Sequence, residues 1–215
     1  MAMQAETQPA PPRKPLRMIA ALVALSAPLA AALALLDGVT RERIERNEQA
    51  WITQRLDALV PPETYDNDPL TDRITVVSAD LLGSEYPVTI YRARRAGVPV
   101  AAILRPVAPD GYRGPIELLV AIARDGTLIG VQVLQHNETP GLGDAFERRQ
   151  PQWLAGFRGR SLTDPAQNRW TVRKDGGEFD QFTGATITPR AIVKQVRRTL
   201  EYYSANKESV FASRD

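Results

Sequence analysis

IELLVAIARDGTLIGVQVLQ, residues 116–135, places two short apolar runs on either side of Arg124-Asp125-Gly126. Runs of this length, rich in aliphatic residues and split by a glycine-containing turn, predict a β-hairpin. In its second strand, alternation puts Ile129, Val131, Val133 and Gln135 on one face, opposite Leu128, Gly130, Gln132 and Leu134. That mixture fits a half-covered antiparallel sheet. Upstream, VTIYRAR (88–94) and VPVAAIL (98–104) flank Ala96-Gly97 and predict a first hairpin. Downstream, residues 137–159 read as a glycine-rich loop with short helical pieces, and WTVRK (170–174) as one more strand. PRAIVKQVRRTLEYYSANK (189–207) follows, with Ile192, Val193, Val196, Leu200 and Tyr203 on one helical face. Thr188 stands where an N-cap belongs and Pro189 in the first turn. The fold class is α+β, with a mainly antiparallel sheet and flanking helices.

Composition narrows the chemistry. The 43% hydrophobic content of the 215 residues demands a packed core. The 27 basic and 25 acidic side chains leave +2, an excess that Arg13, Lys14 and Arg17 against Glu6 supply at the N-terminus, so no nucleic-acid surface is expected. With no cysteine and His136 as the one histidine, disulfides, thiolate clusters and multi-histidine metal sites are excluded. Any redox chemistry must use a cofactor held by other means.

MIAALVALSAPLAAALALL, residues 18–36, is apolar or alanine except for Ser26 and Pro28. At 1.5 Å per residue it reaches about the 30 Å thickness of a bilayer core. An uncleaved anchor fits better than a signal peptide, whose apolar region is shorter. Basic residues nearly balance across the span; we expect the N-terminus in the cytoplasm and the following domain on the periplasmic side of the inner membrane. The expected organisation is a cytoplasmic tail (1–17), a transmembrane helix (18–36), a helical stalk (37–62) that stops at Pro61-Pro62, one domain (63–207) and a short tail (208–215).

The stretch DQFTGATITP, residues 180–189, carries three hydroxyls at Thr183, Thr186 and Thr188. One reading is a turn followed by a helix cap. The other uses the free N–H groups at the helix start, which attract a phosphate, with Gly184 permitting close backbone approach. No histidine accompanies Thr186 in the sequence, so it is a poor nucleophile for turnover but an accessible carrier for a group that another enzyme attaches.

Asp180, Thr183, Gly184, Ala185 and Thr186, spaced D-x-x-T-G-A-T, resemble the flavin-attachment motif of the G subunit of the Rnf ion-translocating electron-transport complex. A similar domain occurs in the C subunit of the sodium-pumping NADH:quinone reductase. The resemblance extends to HNETPGLG, where Glu138, Thr139, Gly141, Leu142 and Gly143 follow His136, and to GYRGPIELLVAI at 111–122. It implies one covalent FMN per chain, esterified through its phosphate to Thr186 by a flavin transferase, with the 138–143 segment beside the flavin. Serine is commoner than threonine at the position of Thr183. Lys194, two turns into the helix, either approaches the phosphate or faces solvent, and His136 either serves the cofactor or hydrogen-bonds within its loop.

The implied role is a redox subunit, not a complete enzyme alone. It would pass electrons between neighbouring membrane and redox subunits of a complex that couples ferredoxin and NAD to ion transport. In some photosynthetic nitrogen fixers the resembling complex runs toward ferredoxin reduction, which adds nitrogen fixation to the implied roles. The competing readings are the C subunit of the quinone reductase and a membrane-tethered adaptor without a cofactor.

Overall fold

A strand as apolar as Ile116–Ala123 needs cover on both of its faces, and the architecture supplies it. The computed structural model describes residues 14–148 and 151–212. It opens with helix α1 (Lys14–Leu59), followed by strand β1 (Arg73–Ser78), the one-turn helix α2 (Ala79–Leu82), and strands β2 (Ser84–Arg95) and β3 (Val98–Leu104). Then come β4 (Val107–Ala108), β5 (Ile116–Ala123), β6 (Leu128–Gln135), the short helix α3 (Ala145–Arg148) and the long helix α4 (Ile187–Phe211). Of the tails expected at 1–17 and 208–215, residues 1–13 and 213–215 lie outside the described residues, and α1 begins within the first at Lys14.

The chain divides into two units, residues 1–51 and 52–215. In the first, Met18–Gly38 is helical, has a mean hydropathy of 2.4 and contains no buried residue. It is long and apolar enough to cross a membrane. Ser26 Oγ donates to the Val23 carbonyl at 3.4 Å, so the one hydroxyl within the span is satisfied inside the helix.

In the second unit the described strands form one antiparallel sheet in the order β1-β2-β3-β5, with β4 continuing the β3 side of β5 and β6 on its other side. Both expected hairpins are present, and β1 is an additional edge strand. On β5, Ile116, Leu118, Val120 and Ile122 enter one core with Ile192, Val196 and Leu200 of α4. Leu119 and Ala121 enter a second core with Ile52, Leu56, Leu59 and Val60, the end of the helix that the sequence reads as a stalk. The sheet is therefore covered on both faces, not half-covered as expected.

The alternation expected in β6 also breaks. Leu128, Val131 and Val133 share the α4 side, while Ile129 and Leu134 pack on the other. The pairing shifts between Ala121↔Gly130 and Ile122↔Leu128, which places an extra residue in β6 and re-faces its start. Gly130 serves the second core: a Cβ there would lie 2.8 Å from Leu59 Cδ2.

The strand expected at 170–174 does not form. Val172 makes a single bridge to Phe179, and Arg173–Asp175 winds into a 3-10 turn. Gly177 presses against the Thr171 carbonyl, where a Cβ would come within 1.8 Å, so the chain folds back too tightly for a ladder.

Helix α4 carries its expected apolar stripe, all five residues being buried. Its C-terminal carbonyls are met by arginines of β2: Arg92 donates to the Ala212 carbonyl at 2.7 Å and Arg94 to that of Phe211 at 2.9 Å. Both guanidinium groups also pair with Asp72. Positive groups at this end complement the helix dipole.

Candidate functional site

The other end of α4 opens on a groove, and the turn before it is built first. Phe182 is buried, its ring 5.1 Å from that of Trp153, whose Nε1 donates to the Asp180 carbonyl at 2.8 Å. One residue later the chain reverses: Ala185 N–H donates to the Phe182 carbonyl at 3.1 Å, with Gly184 at φ 80°. That conformation at the third residue of a turn favours glycine. Thr186 then precedes the helix and makes no side-chain capping bond. Its hydroxyl remains uncommitted to the helix it introduces.

Thr188 is not the cap. It is the second residue of α4, fully buried, and its Oγ1 donates to Glu138 Oε2. Glu138 is itself buried, and its other oxygen accepts from Arg113 N–H at 3.0 Å. A buried carboxylate needs such donors, which explains why Thr188 turns inward instead of back to the helix end. Gly143 completes the packing, since a Cβ there would lie 2.5 Å from Glu138 Oε2. The loop is closed by the Thr139 carbonyl, which accepts from Leu142 and Gly143 N–H, each at 3.1 Å. Gly141, at φ 79°, donates its N–H to Asp144 Oδ1 at 2.6 Å.

These elements enclose a groove of about 270 Å³. The helix start contributes Thr186, Ile187 and Thr188, and the turn Gly184 and Ala185. Glu138, Thr139, Leu142 and Gly143 face them from the loop, and Tyr112 completes the lining. The first intrahelical bond runs from Arg190 N–H to the Thr186 carbonyl at 3.3 Å. Ile187 and Thr188 N–H therefore have no acceptor within the helix, and Pro189 has no N–H to offer. Arg190 forms a bidentate pair with Asp175, at 2.5 and 2.6 Å, which holds the Asp175 carboxyl below the usual carboxylate range. The pair ties the 173–180 segment to the first turn of α4.

The remaining sequence-selected residues lie outside the groove lining. Asp180 pairs with Arg173 at 2.9 Å, and Thr183 is exposed. His136 places Nε2 3.1 Å from Glu147 Oε1 and accepts from Glu138 N–H at Nδ1, a role within its own loop. Lys194 pairs with Asp110 beside a neighbouring depression that Ile187 and Arg190 also line. Tyr112 and Ile187 are not among the residues singled out in the sequence, although they lie in the GYRGPIELLVAI and DQFTGATITP stretches that carry the resemblance. A larger cleft of about 540 Å³ lies at the start of β2, around the ion-paired Arg105 and Glu117, and includes none of the three threonines.

Residues 111–201 match the family model described as FMN-binding domain. The G subunit of an ion-translocating oxidoreductase complex from Pseudoalteromonas atlantica is 51% identical over 174 residues, covering 81% of this chain and 81% of that one. A protein of the same description from Shewanella loihica is 46% identical over 192 residues, 89% of this chain and 91% of that one. The crystal structure of Shewanella oneidensis NqrC aligns with a TM-score of 0.44 at 22% identity, over 68% of this chain and 72% of that one. That likeness is too loose to carry any residue correspondence.

Proposed function

The chain belongs to the family of G subunits of ion-translocating oxidoreductase complexes, and from that premise we propose that it relays electrons through one FMN esterified by its phosphate to Thr186 Oγ1. The observation that carries the assignment is the contrast between two hydroxyls: Thr186 lines the groove without a capping bond, whereas Thr188 is buried against Glu138.

The groove suits the group. A phosphate on Thr186 would meet the N–H groups of Ile187 and Thr188 at the positive end of the α4 dipole. Gly184 keeps that flank free of a side chain, and an added Cβ there would touch Leu142 Cδ2 at 3.6 Å. Leu142 and Ile187 offer apolar contact, and the Glu138–Thr188 pair holds the 138–143 loop against the helix. Bound FMN supplies one- and two-electron transfer; the protein tethers it, shields part of it and fixes its position. A flavin transferase would make the ester, using Asp180 and the 183–185 segment, where Thr183 and Gly184 are exposed, as its recognition element. The partners are the other membrane and redox subunits of an Rnf-type complex that couples ferredoxin and NAD to ion transport.

Mass spectrometry of the peptide spanning residues 175–190, from protein made together with the transferase, should show an FMN adduct on Thr186. Thr186→Val should abolish the adduct while the domain still folds, and Thr188→Val should retain it. An unmodified peptide, or an adduct on Thr183 or Thr188, sinks the assignment.

A further inference from the structure

We propose that Tyr112, together with Leu142 and Ile187, forms an apolar rim that contacts the flavin ring, Tyr112 covering one face of it. The proposal rests on the reading that Thr186 carries FMN. Tyr112 is 64% exposed, Leu142 44% and Ile187 45%. Single exposed apolar side chains are ordinary, but three converging on one groove mark a surface suited to an apolar ligand. They come from three separate segments, and the groove they share is the one that Thr186 lines. The FMN-binding family match spans all of these residues.

The support beneath Tyr112 is the second observation. It sits at the tip of the turn Gly111–Gly114, closed by Gly114 N–H donating to the Gly111 carbonyl at 3.4 Å. Gly111 cannot be enlarged, since its Cβ would lie 2.2 Å from the Gly114 carbonyl oxygen, and Gly114 adopts φ 122°. Just before the tip, Asp110 pairs with Lys194 of α4; just after it, Arg113 N–H is held by buried Glu138. The backbone is thus held after the tip by a buried carboxylate and flanked before it by an exposed ion pair, while the phenol remains unpacked. An exposed aromatic on such a turn, without a protein partner, is suited to stack on a planar ligand.

The test uses full-length protein carrying its flavin, with the adduct verified by mass. Contact with a tyrosine quenches flavin emission by electron transfer from the phenol, and a covered ring resists iodide. Tyr112→Ala should raise flavin fluorescence at least about threefold and increase iodide quenching, with the adduct and melting temperature unchanged. Tyr112→Phe should raise the emission but keep the iodide resistance. Unchanged emission and iodide access in a fully loaded Tyr112→Ala protein overturns the rim. An unmodified Thr186 would instead refute the ester, and lumiflavin titrated into unloaded protein then decides the rim alone. Binding weakened at least about fivefold by Tyr112→Ala supports it, and equal binding overturns it.

Discussion

At the scale of single residues, two threonines two positions apart serve opposite ends. Thr186 keeps its hydroxyl on the groove, while Thr188 spends its hydroxyl on a buried carboxylate contributed from a distant loop. Thr188→Val would leave Glu138 Oε2 without a donor, a loss of about 1–3 kcal/mol by the cost of an unsatisfied buried group. Urea unfolding of the variant measures it. A helix cap would give a loss of overlapping size, so the pair is separated by a double-mutant cycle with Glu138→Gln. Strong coupling between the two substitutions is expected; additive losses would show that Thr188 acts independently of Glu138. The sequence marked both threonines but ranked Thr188 as the cap, because a cap is recognised from local order and the Glu138 contact is made across 50 positions.

At the scale of elements, α4 is fastened at both ends by groups from elsewhere in the chain. Its start is held by Glu138 and by the Arg190–Asp175 pair, and its end by Arg92 and Arg94. The two kinds of fastening differ in weight. Arg92 is buried and bridges Asp72 to the helix-end carbonyls, whereas the Arg190 side chain is 43% exposed. Arg92→Ala should destabilise the domain by about 3 kcal/mol, the low end for breaking a buried pair, because Asp72 retains Arg94. Arg190→Ala should change stability little, as exposed pairs do. Comparable unfolding midpoints for the two variants would contradict this ranking. The apolar stripe of α4 was legible because a periodicity of 3.6 survives in sequence. Its arginine clamp was not, since Arg92 reads as one more polar position in a strand.

At the scale of the whole molecule, the division after Trp51 assigns the last turns of α1 to the domain. Ile52, Leu56, Leu59 and Val60 cover the sheet face formed by Tyr91, Ala93, Ile103 and Leu119. Burial of each large aliphatic side chain is worth about 1.5–3 kcal/mol, so losing all four would consume most of a typical stability of about 5–15 kcal/mol. A fragment of residues 52–215 should be soluble and folded, and one of residues 61–215 should aggregate or melt far lower. Equal melting of the two fragments would refute the assignment. For the intact chain, the span over Met18–Gly38 makes a single-pass membrane protein. We propose the domain on the periplasmic side: protease should remove it from spheroplasts and spare it in inverted membranes, and the reverse pattern would flip the orientation.

What the sequence determined by itself is what depends on neighbours along the chain. The apolar run at 18–36, the two hairpins split by Ala96-Gly97 and Arg124-Asp125-Gly126, the stripe of α4 and the absence of cysteine all follow from local order and composition. The D-x-x-T-G-A-T stretch likewise singled out Thr186, through its family resemblance and without any geometry. Tertiary structure decided what depends on distant partners: the second sheet face covered by the end of α1, the re-facing of β6 at its bulge, the inward turn of Thr188 and the arrival of Tyr112 at the groove. The physical reason is range. Helical period and turn chemistry act over a few residues and leave their pattern in the chain. Burial and the satisfaction of a carboxylate are settled by whichever segment packing brings alongside.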